Sequence, residues 1–272
     1  MSFYRPAEAT AFCRKSSCIW KVRRMIITEL GLNHQGDEAE LKRLLDAVLS
    51  SPADAVTMQI REAEYYTQTK NEKYFLDDAV YEKAARKILA ADKVLGIALS
   101  DSAKVEYFSQ LGASFYKVLS KDIHNFDLLE KIALTGRNVY LSTGLSDSSE
   151  IQAAVDFLKE HGVEPVLNHT ALNYDPAMIN LKSITELKKQ FNLRVSYGNH
   201  SPYLETLFTA VAFEPESIFI YVKGNLEDNY KDDSHAVPLY KLNYILELLS
   251  VARNSLGSGV KQKMKDSLKK RV

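Results

Sequence analysis

The stretch MIITELGLNHQGDEAELKRLLDAVLSSPADAVTMQI, residues 25–60, decides the fold. It opens on an apolar, β-branched run at 25–30, turns through a segment containing Gly and Asn, and continues at 38–50 with apolar residues every three or four positions. It closes on a second apolar run at 55–60. Strand, helix and strand in that order form a βαβ unit, in which the helix returns the chain so that the second strand runs parallel to the first.

Outward from this unit the same alternation continues. Strand-like runs recur at 95–99, 115–119, 139–142, 165–168, 194–197 and 218–222. Helical spacing fills 77–92, 103–111, 126–135, 148–161, 181–191, 204–213 and 237–256. Eight strands each followed by a helix, within a chain of 272 residues, predict an α/β fold of the (β/α)8 TIM-barrel type, whose usual size is about 250 residues. An open doubly wound sheet is the alternative. Gly112, Gly136 and Gly162 each follow a helical pattern and precede a strand, where a left-handed helix terminus is wanted.

Composition sets the outer bounds. With 46% apolar and 26% charged residues the chain can bury a large core, and no run approaches the roughly 18 apolar residues of a membrane span. The net charge of zero is unevenly placed: residues 1–24 and 257–272 each carry six Lys or Arg against one acid, leaving 23 basic and 33 acidic residues between them. An acidic body with basic ends argues against nucleic-acid binding, which needs a basic face on the folded surface. Residues 1–24 are therefore set apart as an N-terminal extension, with 25–256 as the barrel and 257–272 as a basic tail. A transit peptide, an upstream extension and an over-long start are the readings open for the extension. Cys13 and Cys18 lie within it, and a single C-x4-C without nearby His is a weak metal signal.

A TIM barrel places its chemistry at the C-terminal strand ends. Those ends carry Glu29, Asn33 and His34; Gln59 and Arg61; Ser100 and Asp101; Lys117, Ser120 and Asp122; Ser142; Asn168 and His169; Asn199 and His200; and Lys223 with Asn225. Three histidines each following an Asn at such ends point to a functional rim.

The run Ile27-Thr-Glu-Leu-Gly-Leu-Asn-His-Gln-Gly-Asp37 with Ala53-Asp-Ala-Val-Thr-Met-Gln59 resembles the opening of the N-acetylneuraminate (sialic acid) synthase family. Matching segments follow in the family's order: Tyr116-Lys-Val-Leu-Ser-Lys-Asp122 with Asn125, Leu141-Ser-Thr-Gly144, His169 with Tyr174, Tyr197-Gly-Asn-His-Ser201 and His235-Ala236. The resemblance implies a cytoplasmic (β/α)8 enzyme, commonly a homodimer, that condenses phosphoenolpyruvate with an amino sugar to give a sialic-acid-like 2-keto sugar acid and phosphate. It also implies a divalent Mn or Mg ion that polarises the sugar aldehyde, and a C-terminal antifreeze-like domain for which residues 257–272 are too few.

Carried onto this sequence, the resemblance makes Glu29 the catalytic carboxylate and Lys117 the contact to phosphoenolpyruvate, with Ser120 and Ser142 as hydroxyl donors. Asp122 stands where the family usually has Glu, Tyr174 is an aromatic beside the substrates, and His200 is the first of two metal-binding histidines. The sequence departs from the pattern at Thr57 for a phosphate-contacting Lys, Leu172 for Asn, Gly198 for Ser, Asn199 for Asp, Lys223 for the second metal His, and Ser234 for Asp. Arg61, on the same strand face as Thr57, is the expected substitute there, and Asp233 the one beside Ser234. Lys223 is expected to supply charge in the metal's place. Gln59, Ser100, His169, Asn199 and His235 complete the expected substrate contacts. Two other readings remain open: an aldolase or lyase with Lys117 or Lys223 as nucleophilic amine, and a non-catalytic sugar- or phosphate-binding homologue.

Overall fold

The computed structural model describes residues 24–224 and 230–261. The segments 1–23 and 262–272, with Cys13, Cys18 and Asn225, lie outside the described residues. Eight parallel strands, β1 Met25–Glu29, β2 Ala55–Ile60, β3 Val94–Leu99, β4 Phe115–Val118, β5 Asn138–Ser142, β6 Val166–Thr170, β7 Val195–Gly198 and β8 Ser217–Lys223, pair in sequence order, and β1 pairs with β8 to close the barrel. A two-residue strand, β9 Val237–Pro238, extends β8 at the rim. The fold is the (β/α)8 TIM barrel.

The helices are α1 Glu38–Leu49, α2 Ala63–Tyr66, α3 Asp78–Ala90, α4 Val105–Gln110, α5 Phe126–Leu134, α6 Ser148–Glu160, α7 Pro176–Ile179, α8 Ser183–Phe191, α9 Leu204–Val211 and α10 Leu239–Ser255. Their starts are written in the side chains. Asp37 accepts the N–H of Ala39 to cap α1, and Asp147 with Glu150 forms a reciprocal capping box on α6. Gly112, Gly136 and Gly162 sit at φ of +101°, +65° and +77°, the left-handed turns that end helices before strands. The last helix begins at Leu239, later than its periodicity predicts, because Pro238 occupies the cap and pairs with Lys223 in β9. No helix among the described residues is long and apolar enough to cross a membrane.

Strand alternation divides the core in two. One set of strand side chains, including Met58, Ile97, Val118, Leu141 and Ile220, packs outward against the helices. The other fills the barrel, where Ile27, Ala55, Phe115, Tyr140, Val166 and Phe219 form an apolar floor. Gly96 is required there, since a Cβ would collide with the Phe115 ring. Above the floor the same inward positions become polar, and this change creates the site.

Candidate active site

Lys117 of β4 stands at the centre of the polar layer, 1% exposed, and donates to Glu29 of β1 and, at 3.1 Å, to the Tyr221 hydroxyl of β8. Glu29 is fully buried. Register accounts for the meeting: Glu29 pairs with Tyr221, so both project inward at one level. The Lys117 ammonium also lies 5.1 Å from the Phe219 ring centre and 5.0 Å from that of Tyr221, which favour a cation above them. Burial, followed by the nearby Glu29 charge, pushes the Tyr221 phenol well above its ordinary value and keeps it a hydrogen-bond donor.

Beside this pair lie two imidazoles and a carboxylate. The rings of His200, which follows β7, and His235, in the loop after β8, are 4.9 Å apart, and both lie against Tyr221, His200 tilted at 5.2 Å and His235 edge-on at 4.9 Å. Burial, then the charges of His235 and Lys117, holds His200 well below 6.5; burial, Lys117 and Lys223 lower His235 to about 4. Both are therefore neutral at neutral pH. Asp232 is the opposite case: burial and the Glu29 charge raise it to about 7. Its carboxylate lies against Gly31, where a Cβ would stand 2.5 Å from Oδ2 and φ is +56°. Glu29 Oε1, Asn168 Oδ1, Asp232 Oδ2 and His235 Nε2 are buried without a hydrogen-bond partner. Four unanswered polar atoms around one centre mark a place built for a polar ligand.

A hydroxyl arc completes the layer on the β4–β6 side. Ser142 Oγ accepts from Asn168 Nδ2 at 3.2 Å, Ser120 Oγ meets Thr170 Oγ1 at 3.1 Å, and the Gly144 N–H donates to Ser120 at 3.2 Å. Gly198 follows from this packing, because a Cβ there would meet Thr170 Cγ2 at 2.6 Å and Asn168 Nδ2 at 2.9 Å. The position cannot hold serine without displacing both neighbours.

Other expected residues are engaged elsewhere. Asn33 spends its amide on the Val222 carbonyl and the Asp232 N–H, tying the β1 loop to the β8 loop. Asn199 accepts from Tyr197 and Thr206 and donates to the Ser201 carbonyl. His169 has the outward parity of β6, opposite to Asn168 and Thr170, and its Nε2 bonds the Ile179 carbonyl at 2.9 Å. Thr57 bonds the Thr28 carbonyl at 3.4 Å. Arg61 does not reach in for the absent lysine: its guanidinium grips Glu62 with two 3.0 Å bonds and lies 3.9 Å over the Tyr65 ring. Burial opposes ionisation of Glu62, and the Arg61 contacts outweigh it, holding the carboxyl at about 2.

Ser100 donates to Asp122 at 2.7 Å, and Lys121 reaches the other oxygen at 2.6 Å. Gln59 is half-buried, and its carbonyl receives the Tyr81 hydroxyl at 3.4 Å. His34 is buried between Tyr81 and the Gly36 N–H, and burial lowers it to about 4. Lys223 is clamped to Asp233, 2.9 Å from its carbonyl and 2.5 Å from its carboxylate. Tyr174 receives a 2.8 Å bond from Ser234, so the loops after β6 and β8 meet over the mouth.

Sequence reasoning set Asn168 on the rim without giving it a role, and passed over Tyr221 and Asp232 as site residues. Strand alternation from Glu29 and Ser142 through the register would have found all but Asp232.

The donor set does not form a cage for Mn or Mg. Such ions want about six oxygen or nitrogen ligands, and no group of three or more His, Cys, Asp or Glu among the described residues is arranged to hold a metal ion. Lys117 further places positive charge beside both imidazoles.

The NeuB family model matches residues 44–261. N,N'-diacetyllegionaminic acid synthase of Campylobacter jejuni is 27% identical over 91% of this chain and 81% of its own. N-acetylneuraminate-9-phosphate synthase of Homo sapiens is 25% identical over 87% of this chain and 72% of its own. Among solved structures, the N-acetylneuraminic acid synthetase of Leptospira borgpetersenii superposes with a TM-score of 0.81, covering 89% of this chain and 88% of that one at 24% identity. With the ordered motifs, the closed barrel and a family match over most of its length, the chain belongs to the NeuB family, the family of the sialic acid synthases.

Proposed function

We propose that the protein condenses phosphoenolpyruvate with an acylated amino sugar, giving a 2-keto sugar acid and inorganic phosphate. The observation that carries this reading is the buried Lys117 beside the unpartnered Glu29 Oε1 and the Ser120–Ser142–Asn168 arc. A cation with hydroxyl and amide groups around it suits a small ligand bearing a carboxylate and a phosphate.

In the reaction a bond forms between C3 of phosphoenolpyruvate and the aldehyde carbon, and the aldehyde oxygen takes a proton. Water adds at C2 and phosphate leaves, so one water is consumed. Lys117 and Tyr221 hold the anionic substrate by charge and hydrogen bond. The neutral His200 and His235 accept hydrogen bonds from the attacking water, and Asp232, poised near 7, takes the one proton that water releases and passes it on at working pH. Glu29 Oε1 accepts a hydrogen bond from the attacking water or the sugar hydroxyl. Lys223 fixes the loop bearing Asp232 and His235 through Asp233 and acts as a positioning residue. The likeness to the legionaminic acid and N-acetylneuraminate-9-phosphate synthases supports the substrate class. The test is phosphate release from phosphoenolpyruvate: release that requires an acylated amino sugar supports the reading, and no release with any such acceptor overturns it.

A further inference from the structure

Two side chains of the site depend on the backbone that carries them. Asp232 Oδ2 and His235 Nε2 are buried without a hydrogen-bond partner, so neither atom is fixed by a bond of its own. Their aim at the barrel centre is set by the path of the loop after β8, and that path is tied down outside the barrel, on helix α1.

Glu40 and Arg43 stand one turn apart on α1, and the guanidinium grips the carboxylate at 2.8 Å through both Nε and Nη2. The pair meets Tyr230, whose hydroxyl donates to Glu40 Oε1 at 2.9 Å and accepts from Arg43 Nη2 at 3.2 Å. Tyr230 is buried, and burial followed by its bond to Glu40 pushes the phenol up to about 12, so the proton it donates stays in place. Gly224, where the chain leaves β8, closes the clasp from the other side: a Cβ there would collide with Arg43 Nη2, the Tyr230 hydroxyl and Glu40 Oε1. Gly224 and Tyr230 thus meet the same two α1 side chains.

The anchor is close to the chemistry along the chain. The Asp233 N–H donates to the Tyr230 carbonyl at 3.3 Å, and the Asp232 carbonyl takes the N–H groups of His235 and Ala236 at 3.2 and 3.0 Å. The Asp232 N–H goes to Asn33 at 2.9 Å. A short, internally bonded turn therefore passes any shift at Tyr230 to both side chains in the site, where misplacement by about 1 Å costs rate.

We propose that Glu40, Arg43 and Tyr230 are positioning residues, a clasp on α1 that holds the loop after β8 so that Asp232 and His235 face Glu29 and Lys117. The inference rests on the synthase reading for what those two groups do there.

The test compares the full chain with Tyr230→Phe, Glu40→Ala, Glu40→Gln and the double variant Tyr230→Phe with Glu40→Ala. Amide hydrogen exchange is read by mass spectrometry, and phosphate release is assayed with phosphoenolpyruvate and N-acetylmannosamine. Tyr230→Phe keeps the ring and loses the hydroxyl, so exchange across 232–236 should quicken about tenfold while β1 and β4 are unchanged. Its Tm should fall by no more than about 4 °C, the cost of one hydrogen bond. Its kcat should fall about tenfold with KM for phosphoenolpyruvate within about twofold, because Lys117, Ser120 and Ser142 lie outside this loop. Glu40→Ala should act alike, the double variant should lose little more, and Glu40→Gln, which keeps an oxygen for the hydroxyl, should retain most of the rate. Unchanged exchange in Tyr230→Phe, faster exchange with unchanged kcat, or losses that multiply in the double variant would overturn the inference. Release by wild type with unchanged exchange in Tyr230→Phe removes the clasp and leaves the synthase. No release by wild type, with exchange still quickened in Tyr230→Phe, removes the synthase and leaves the clasp.

Discussion

Replacing Lys117 by Met removes the only cation bonded to Glu29 among the described contacts and leaves a fully buried carboxylate with one oxygen already unpartnered. Breaking one side of a buried ion pair costs about 3–5 kcal/mol, because the surviving charge is left without compensation. For a barrel of this size each kcal/mol lowers Tm by about 2–4 °C, so Lys117→Met should lose roughly 6–20 °C. Glu29→Gln strands the ammonium instead, and Tyr221 and the two aromatic rings retain part of its stabilisation, so its loss should fall at the lower end. The double variant Lys117→Met with Glu29→Gln removes both charges and should be less destabilised than the two single losses added together, by about 2 kcal/mol or more. Urea denaturation of the four proteins at pH 7, followed by circular dichroism, measures the cycle. Singles within about 1 kcal/mol of wild type, or a double equal to their sum, would refute the claim that these two charges are held against each other at the barrel centre.

Other outcomes follow from the same layer. Asp232 has a folded-state pKa of about 7 against an ordinary 3.8, so the folded protein binds the extra proton and its contribution to stability is lost as pH rises from 3.8 through 7. Asp232→Asn should therefore leave Tm near wild type at about pH 3.5 and raise it increasingly above wild type towards about pH 8; the reverse order would contradict the assignment. His34 and His235, lowered to about 4, have the opposite sign: the unfolded chain binds their protons first, so Tm should fall as pH drops from 6.5 towards 4. Gly198→Ser, which restores the residue expected from the family pattern, should destabilise by about 1–3 kcal/mol through its clash with Thr170 and Asn168 and should not raise activity. Because the site's donors form no divalent cage, a chelator should leave acceptor-dependent phosphate release within about twofold, and an abolished rate that Mn restores would refute that reading.

Much of this architecture was legible before any coordinates. Strand β2 runs over the residues its apolar run marked, and the three glycines after α4, α5 and α6 adopt the positive φ their positions demanded. The short helices α2 and α7 were not, since one turn has no periodicity to read. In the site, Glu29 and Lys117 were found by motif, but their mutual contact depends on a register that no local pattern carries. Tyr221 hid within an apolar run, where an aromatic looks like core. His169 was drawn in by its neighbours, although alternation with the inward Asn168 turns it outward. Asp232 sits in a loop whose path over Gly31 only the fold specifies.

The most direct measurement is carbon NMR of a reaction containing phosphoenolpyruvate labelled at C3 and an acylated amino sugar. The account predicts that the labelled carbon appears as a methylene between the new hydroxyl-bearing carbon and the keto carbon, with one phosphate released per product. Label remaining in phosphoenolpyruvate, or emerging only as the methyl of pyruvate, would contradict it.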